Sequence, residues 1–167
     1  SIQFNDTDGQ SEANDISSGD GAITFFSQNP DNKYMIVSTQ SNGRLWAVNF
    51  NENNGRTRSW DLCGNGCDYG YFINRGALDS NKGILFSTYN DNTLIAYYGW
   101  DDFASNEGNG PADNYQIGGF GGGITTLTVS PHTTNSTTLL VGTKTGQLTK
   151  VENCLLYTSP SPRDQAK

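Results

Sequence analysis

A hairpin motif that occurs three times constrains this sequence more than any other feature. Each copy has a hydrophobic run, a small residue, a threonine, a polar turn and then a leucine. The copies are STQSNGRL at Ser38–Leu45, STYNDNTL at Ser87–Leu94 and GTKTGQL at Gly142–Leu148. The runs are rich in β-branched and aromatic residues, which favour strands, and Asn-Gly at Asn42–Gly43 is a strong hairpin signal. The motif predicts hairpins that turn at Ser41–Gly43, Asn90–Asn92 and Thr145–Gly146.

The spacing of the motif predicts a repeated unit. Leu45 and Leu94 are 49 positions apart, and Leu94 and Leu148 are 54 positions apart. A strand-based unit of roughly 40–50 residues is typical of a β-propeller blade, which carries about four strands. The alternative is an unrepeated β-sandwich whose hairpins are similar by chance.

Chain length limits the number of such units. Four blades require roughly 200 residues, and the chain has 167. We therefore expect an all-β fold in residues 1–153, a partial β-propeller of about three four-stranded antiparallel blades. The units are expected roughly over 21–62, 70–103 and 118–153, and the missing neighbouring blades would be partners of this part.

The segments outside the motif complete the expected units. Ile23–Phe26, Tyr71–Leu78 and Ile124–Pro131 are each expected to supply the first strand of a unit. Trp100–Pro111 is expected to be a long loop, and the glycines of Gly118–Gly123 to let the backbone pass close to the next blade. No stretch has the sustained 3.6-residue apolar period of a helix.

Charge and composition exclude several functions. The formal net charge is −7, and an acidic surface repels phosphates, so we expect no nucleic-acid partner. No apolar segment is long enough to span a membrane. The chain has a single histidine, His132, which is expected on the surface. No catalytic residues and no cofactor are expected, so the sequence predicts a protein that is not an enzyme.

Two cysteines and one acidic loop are the candidate covalent and metal sites. Cys63 and Cys67 flank Gly-Asn-Gly and are expected to form a disulfide, with free thiols as the alternative. A zinc site would need further ligands, of which only His132 is available. Asp6–Gly9 is either a calcium loop or a solvated connection, and it lacks the full EF-hand pattern. No metal site is therefore predicted.

An aromatic group precedes the expected long loop. Its members are Tyr97, Tyr98, Trp100 and Phe103. Aromatic side chains beside acids and amides are suited to contact a sugar or a peptide, so these four are the candidate ligand contacts. The alternative is that they pack between neighbouring blades.

Two stretches resemble known families. Gly43–Val48, followed by Asn54–Arg56 and Trp60, resembles the blade repeat of quinoprotein-like and WD40-like propellers. Gly123–Asn153 is similar to blades of large exported or cell-surface proteins of Bacteroidetes-type bacteria, many of which are type IX secretion cargo.

The resemblance implies an extracellular or cell-surface location. It also implies a non-catalytic propeller module that binds or displays an unidentified protein or glycan ligand. The alternative is part of a sialidase-like or quinoprotein-like enzyme whose catalytic residues lie outside this sequence.

The last residues do not continue the repeat. A DNA sequence that encodes CLLYTSPSPRD, at Cys154–Asp164, resembles the end of a transposase-based sequencing adapter. We therefore expect residues 154–167 to be adapter read-through rather than a domain, and we exclude them from the fold prediction. A natural Pro-Ser linker is the alternative.

Overall fold

The computed structural model describes residues 2–3, 14–15, 21–29, 33–40, 45–50, 56–61, 71–98, 113–132 and 135–152. Within these ranges every regular element is a β-strand, and no helix occurs. The strands are β1 Ile2–Gln3, β2 Asn14–Asp15, β3 Gly21–Phe26, β4 Tyr34–Thr39, β5 Leu45–Phe50, β6 Arg56–Asp61, β7 Gly76–Asp79, β8 Ile84–Asn90, β9 Thr93–Tyr98, β10 Asp113–Gly118, β11 Ile124–Val129, β12 Thr138–Thr143 and β13 Leu148–Glu152. The expected all-β class is confirmed.

Three antiparallel sheets follow one another along the chain. The first sheet has the order β3-β4-β5-β6, the second β10-β9-β8-β7 and the third β11-β12-β13. Each is a meander, in which consecutive strands pair with their neighbours. β1 and β2 form a separate two-stranded ribbon. Among the described strands, the third sheet has three rather than the four expected, and no strand closes the series into a ring.

Each copy of the hairpin motif forms the second and third strands of its sheet. Leu45, Leu94 and Leu148 lie opposite Ser38, Thr88 and Gly142 respectively. The motif threonines are all buried: Thr39, Thr88 and Thr143. Thr88 Oγ1 accepts a hydrogen bond from the backbone N–H of Arg75 at 3.1 Å, so this threonine anchors the segment before β7.

The hairpin turns are confirmed where they are described. Asp91–Asn92 and Lys144–Gly146 are turns, and Gly146 has a φ of 80°, a conformation that glycine adopts without steric cost. The predicted turn at Ser41–Gly43 lies outside the described residues.

Two strand predictions differ from the structure. Tyr71–Leu78 becomes regular only at Gly76, because the Asn74 side chain accepts the Tyr71 backbone N–H at 2.7 Å and bends the chain. β10 was not predicted, since its sequence DNYQIG is mostly polar. It pairs with β9 along its whole length, and Tyr115 and Ile117 turn inward while Asn114 and Gln116 are exposed.

Apolar side chains form one core on each side of the second sheet. The core towards the first sheet contains Tyr34, Ile36, Leu45, Ala47, Leu85, Ile95 and Tyr97. The core towards the third sheet contains Ala77, Ile84, Phe86, Leu94, Ala96, Phe120, Ile124, Leu127, Leu139 and Val141. The second sheet therefore packs between the other two, and its first strand, β7, contacts both β3 and β11.

Candidate functional site

The structure separates Tyr97 and Tyr98, two of the four aromatic side chains that the sequence grouped as ligand contacts. Tyr97 is only 3% exposed and lies in the core between the first and second sheets. Tyr98 packs on the other core, and its ring centroid lies 5.7 Å from that of Tyr115 at an interplanar angle of 57°. Neighbouring residues of a strand point to opposite faces of the sheet, so these two tyrosines share no surface. Trp100 and Phe103 lie outside the described residues, and ligand contact at all four remains a prediction.

Of the other predicted sites, the structure describes only His132. Cys63, Cys67, Asp6–Gly9 and Cys154–Lys167 lie outside the described residues. His132 is exposed, as expected, and its backbone N–H donates to Ser130 Oγ at 3.3 Å.

The structure brings four segments together at one end of the second and third sheets. We call this the turn end. It comprises Tyr71–Arg75, Asn90–Thr93, Gly119–Gly123 and Lys144–Gln147. The strand pairings place them there, because β8 and β12 end where β9, β11 and β13 begin. Connections at one end of a rigid sheet are where proteins commonly carry binding residues.

Hydrogen bonds join these segments. The connection between β10 and β11 contacts the turns on both sides of it. Phe120 N donates to Asn92 O of the β8–β9 turn at 3.3 Å. The bonds to the β12–β13 turn are Gly121 N to Gln147 Oε1 at 3.0 Å, Thr145 Oγ1 to Gly121 O at 3.2 Å and Lys144 N to Gly123 O at 2.8 Å. The turn end is therefore a continuous surface that spans the second and third sheets.

The glycines of the β10–β11 connection make this close contact possible. Gly122 has a φ of 149°, and a Cβ on it would lie 2.9 Å from Thr145 Cγ2. A Cβ on Gly123 would lie 2.9 Å from Lys144 Cδ. Gly121–Gly123 thus approach a neighbouring segment closely, and that segment is the β12–β13 turn. The expected approach of Gly118–Gly123 to a next blade remains a prediction.

Tyr71, Asp91 and Lys144 form a polar cluster at the turn end. The Tyr71 hydroxyl donates a short hydrogen bond to Asp91 Oδ1. Lys144 Nζ lies 5.9 Å from the centroid of the Tyr71 ring, within the range of a cation–π contact. The cluster joins the connection before β7 to the β8–β9 turn and the β12–β13 turn.

The environment of Tyr71 disfavours its ionisation. Partial burial, followed by the hydrogen bond to Asp91 and the negative charge of that carboxylate, raises the pKa of Tyr71 to about 12 from its usual 10.0. A phenolate is poorly solvated there and is repelled by Asp91. At neutral pH the hydroxyl is therefore a hydrogen-bond donor, held in place by a carboxylate.

The Tyr71 pKa leads to a prediction on pH. The pKa of Tyr71 is higher in the folded state than in the unfolded state, so the protonated hydroxyl contributes to stability. This contribution is complete below the unfolded-state pKa near 10 and is lost as the pH rises through the folded-state pKa of about 12. We expect Asp91→Asn to lower the Tyr71 pKa partway, since burial remains. The measurement is the difference between the tyrosinate absorbance titrations of the parent and of Tyr71→Phe, repeated in the Asp91→Asn background. An unchanged pKa in that background would exclude the role assigned to Asp91.

Exposed apolar side chains lie next to this cluster. Phe72 is 66% exposed and Ile73 is 43% exposed. No histidine or cysteine lies among the described residues of the turn end. The turn end thus offers an aromatic surface, hydrogen-bonding groups, the negative charge of Asp91 and the positive charges of Arg75 and Lys144, which suits non-covalent binding.

The opposite end of the same sheets contains a buried carboxylate. Asp79 is 2% exposed, and its Oδ1 accepts the backbone N–H groups of Asn81 and Lys82 at 3.1 and 3.2 Å. Its Oδ2 accepts the hydroxyl of Thr137, which is 1% exposed, at 2.6 Å. Asp79 therefore orders the β7–β8 turn and links the second sheet to the segment before β12.

Sequence reasoning missed the turn-end residues. Tyr71 was assigned to a strand, and Asp91 and Lys144 were treated only as turn residues. One signal pointed to them: Asp91 and Lys144 occupy the polar turns of two copies of the hairpin motif. Equivalent turns of sheets that pack side by side lie at the same end, so the motif itself indicates that these turns are neighbours.

The comparisons with known proteins give no family. No protein-family model, no curated protein and no solved structure matches the chain. In the described part of the chain, no group of three or more His, Cys, Asp or Glu side chains is arranged to hold a metal ion. No described helix is long and apolar enough to cross a membrane.

Proposed function

We propose that the chain is a non-catalytic β-propeller module of an exported or cell-surface bacterial protein and that it binds a protein or glycan ligand. The observation that carries this proposal is the serial order of the sheets. β7 contacts β3 on one side and β11 on the other, and each core lies between consecutive sheets. In a propeller the first strands of consecutive blades are neighbours in the same way, and each blade packs on the next.

Turn chemistry supports the binding part of the proposal. In propellers the connections at the strand ends carry the variable contacts, while the sheets form a rigid support. The turn end has this position. Its exposed Phe72 and the polar groups of Tyr71, Asp91 and Lys144 match what recognition of a sugar or a peptide requires: an apolar surface bordered by hydrogen-bonding groups.

The alternative function is part of a sialidase-like or quinoprotein-like enzyme. The residues of the turn end favour the binding module. The Tyr71 hydroxyl lies beside the Asp91 carboxylate, but the pKa of Tyr71 is raised to about 12 rather than lowered as in an activated nucleophile. The cluster also lacks a pair of carboxylates. In the enzyme, residues from other blades would have to supply that chemistry.

A panel of immobilised glycans and peptides tests the proposal. We expect saturable binding of at least one member by the 167-residue protein, and we expect Phe72→Ala to weaken it at least tenfold. Phe26→Ala is the matched control, since Phe26 is 59% exposed and lies at the opposite end of the first sheet. Turnover of an aryl sialoside, or dye reduction that depends on an added quinone cofactor, would contradict the non-catalytic function.

A further inference from the structure

The β8–β9 turn presents three consecutive polar side chains to solvent. Asn90, Asp91 and Asn92 are all exposed, and a hydrogen bond orients each of them. The Asn92 backbone N–H donates to Asn90 Oδ1 at 3.1 Å. The Tyr71 hydroxyl donates to Asp91 Oδ1, and the hydroxyl of Thr93 donates to Asn92 Oδ1 at 3.2 Å. One oxygen of each side chain therefore holds the turn in place.

The other polar atom of each side chain is available to a ligand. Because a backbone N–H fixes the Asn90 oxygen as an acceptor, Asn90 Nδ2 is a free donor. Within the described part of the chain, Asn90 Nδ2, Asp91 Oδ2 and Asn92 Nδ2 make no hydrogen bond. The turn thus offers a donor, an acceptor and a donor in sequence order, and since all three are already oriented, binding costs them little conformational entropy.

The equivalent turn of the third sheet uses its polar side chains within the protein. Thr145 Oγ1 donates to Gly121 O at 3.2 Å, and Gln147 Oε1 accepts the Gly121 N–H at 3.0 Å. The β8–β9 turn contacts the same β10–β11 connection through a backbone carbonyl instead, that of Asn92. Its side chains therefore remain exposed, which makes this turn the better candidate for ligand contact.

A pair of adjacent hydroxyl groups matches this pattern. A hydroxyl is both a donor and an acceptor, so one hydroxyl can donate to Asp91 Oδ2 while it accepts from Asn90 Nδ2. The adjacent hydroxyl can share Asp91 Oδ2 and accept from Asn92 Nδ2. A carboxylate or phosphate would satisfy both amides, but the negative charge of Asp91 would repel it. Carbohydrates carry such pairs of neutral hydroxyls on neighbouring ring carbons.

The backbone of the turn end favours a sugar over a peptide. Extended peptides are commonly recognised through backbone hydrogen bonds to a strand edge. At the turn end, many backbone N–H groups already donate within the protein, namely those of Tyr71, Arg75, Asn92, Phe120, Gly121, Gly122, Lys144 and Gly146. Recognition must therefore rely on side chains, and Phe72, which is 66% exposed, adds an aromatic surface on which the C–H groups of a sugar ring can pack.

We propose that the turn end binds a neutral carbohydrate through two adjacent hydroxyl groups. Asn90, Asp91 and Asn92 supply the hydrogen bonds, and Phe72 supplies the packing surface. A neutral sugar is also not repelled by a chain with a net charge of −7. This inference rests on the proposed binding function and narrows its ligand to one chemical class.

An NMR titration of the isotope-labelled 167-residue protein tests the ligand class. The probes are the methyl glycosides of glucose, galactose and mannose, then glucuronic and galacturonic acid, and then the peptides of the binding panel. We expect at least one neutral glycoside to shift the amide resonances of the turn end saturably. The same glycoside methylated on two adjacent hydroxyls should bind at least tenfold more weakly, because the methyl groups remove both donors.

Matched variants test the residues. Asn90→Asp replaces the Nδ2 donor by an oxygen but keeps the acceptor of the Asn92 N–H, so it should weaken sugar binding at least tenfold while the turn stays ordered. Asn114→Asp makes the same chemical change at an exposed residue of β10 opposite Tyr97, away from the turn end, and should leave binding unchanged. Asp91→Asn keeps an acceptor for the Tyr71 hydroxyl but loses the charge and Oδ2, so it should also weaken binding at least tenfold. Circular dichroism confirms that each variant is folded.

The possible outcomes separate this inference from the binding function. Tighter binding of a uronic acid or a peptide, shifts confined to residues outside the turn end, or equal effects of Asn90→Asp and Asn114→Asp would overturn the inference and leave a binding function in place. Failure of every sugar and peptide to bind would instead contradict the binding function itself, and the narrower inference with it.

Discussion

Phe86→Ala is expected to lower the free energy of unfolding by about 3–5 kcal/mol, the usual cost of truncating a fully buried phenylalanine. Among the described residues, Phe86 is the largest fully buried side chain, at 0% exposure. It lies in the core between the second and third sheets, with residues of both sheets around it. The truncation removes apolar area from the core and leaves a cavity that the two sheets can close only in part.

Urea unfolding, followed by the fluorescence of the three tryptophans, measures this effect. The midpoint should fall while the denaturant slope stays the same. Phe26→Ala is the control, since Phe26 is 59% exposed and a surface change usually costs less than about 0.5 kcal/mol. If both substitutions cost the same, the second and third sheets do not share the core described above.

The sequence predicted the central strands of each sheet well. β4 and β5 lie on either side of the first copy of the hairpin motif, as the motif predicts, at Tyr34–Thr39 and Leu45–Phe50. β-branched and aromatic runs bounded by polar turns specify such strands locally. The threonine of the motif also has a structural role in the second sheet. Thr88 is buried, and its hydroxyl accepts a backbone hydrogen bond from the segment before β7.

The outer and first strands were harder to predict, because neighbours rather than local sequence define them. β10 has few apolar residues, and its pairing with the edge of β9 makes it a strand. The start of β7 is delayed by a single side chain, that of Asn74, which fixes a bend at Tyr71. The strand propensity of Tyr71–Leu78 does not show this effect, because it is high at Tyr71–Ile73, which are irregular, and low at Gly76 and Ala77, which begin the strand.

The turn end could be predicted from sequence only in part. The hairpin motif indicates that the turns of Asp91 and Lys144 are neighbours, but Tyr71 lies outside the motif and 20 residues from Asp91. The contact of Tyr71 with both depends on the bend at Asn74 and on how the second and third sheets pack, which no local pattern specifies. Tyr97 shows the converse: an aromatic residue near a long loop has the composition of a ligand contact, yet strand alternation directs it into a core.

Asp79→Ala is expected to cost about 3 kcal/mol, because hydrogen bonds to a charged group contribute about 1.5–3 kcal/mol each. The substitution removes the acceptor of the Asn81 and Lys82 backbone N–H groups and of the Thr137 hydroxyl. Two factors reduce the total. Water can replace the carboxylate at the exposed Asn81, and removing a buried charge recovers part of its desolvation cost. Thr137 stays buried without its acceptor.

A double-mutant cycle isolates the link that Asp79 makes to Thr137. Thr137→Val removes the hydroxyl with little change of shape, and we expect it to cost about 1.5–3 kcal/mol, since the carboxylate loses a buried donor. The double variant with Asp79→Ala should cost less than the two separate losses together, by about 1–2 kcal/mol of coupling.

Asp79→Asn is the control for shape: its side chain can still accept the Asn81 and Lys82 N–H groups, so it should cost less than Asp79→Ala. Additive losses of Asp79→Ala and Thr137→Val would mean that the 2.6 Å contact between Oδ2 and the Thr137 hydroxyl does not stabilise the fold. The stability conferred by Asp79 would then come from its own β7–β8 turn, and the core around Phe86 would be the main connection between the second and third sheets.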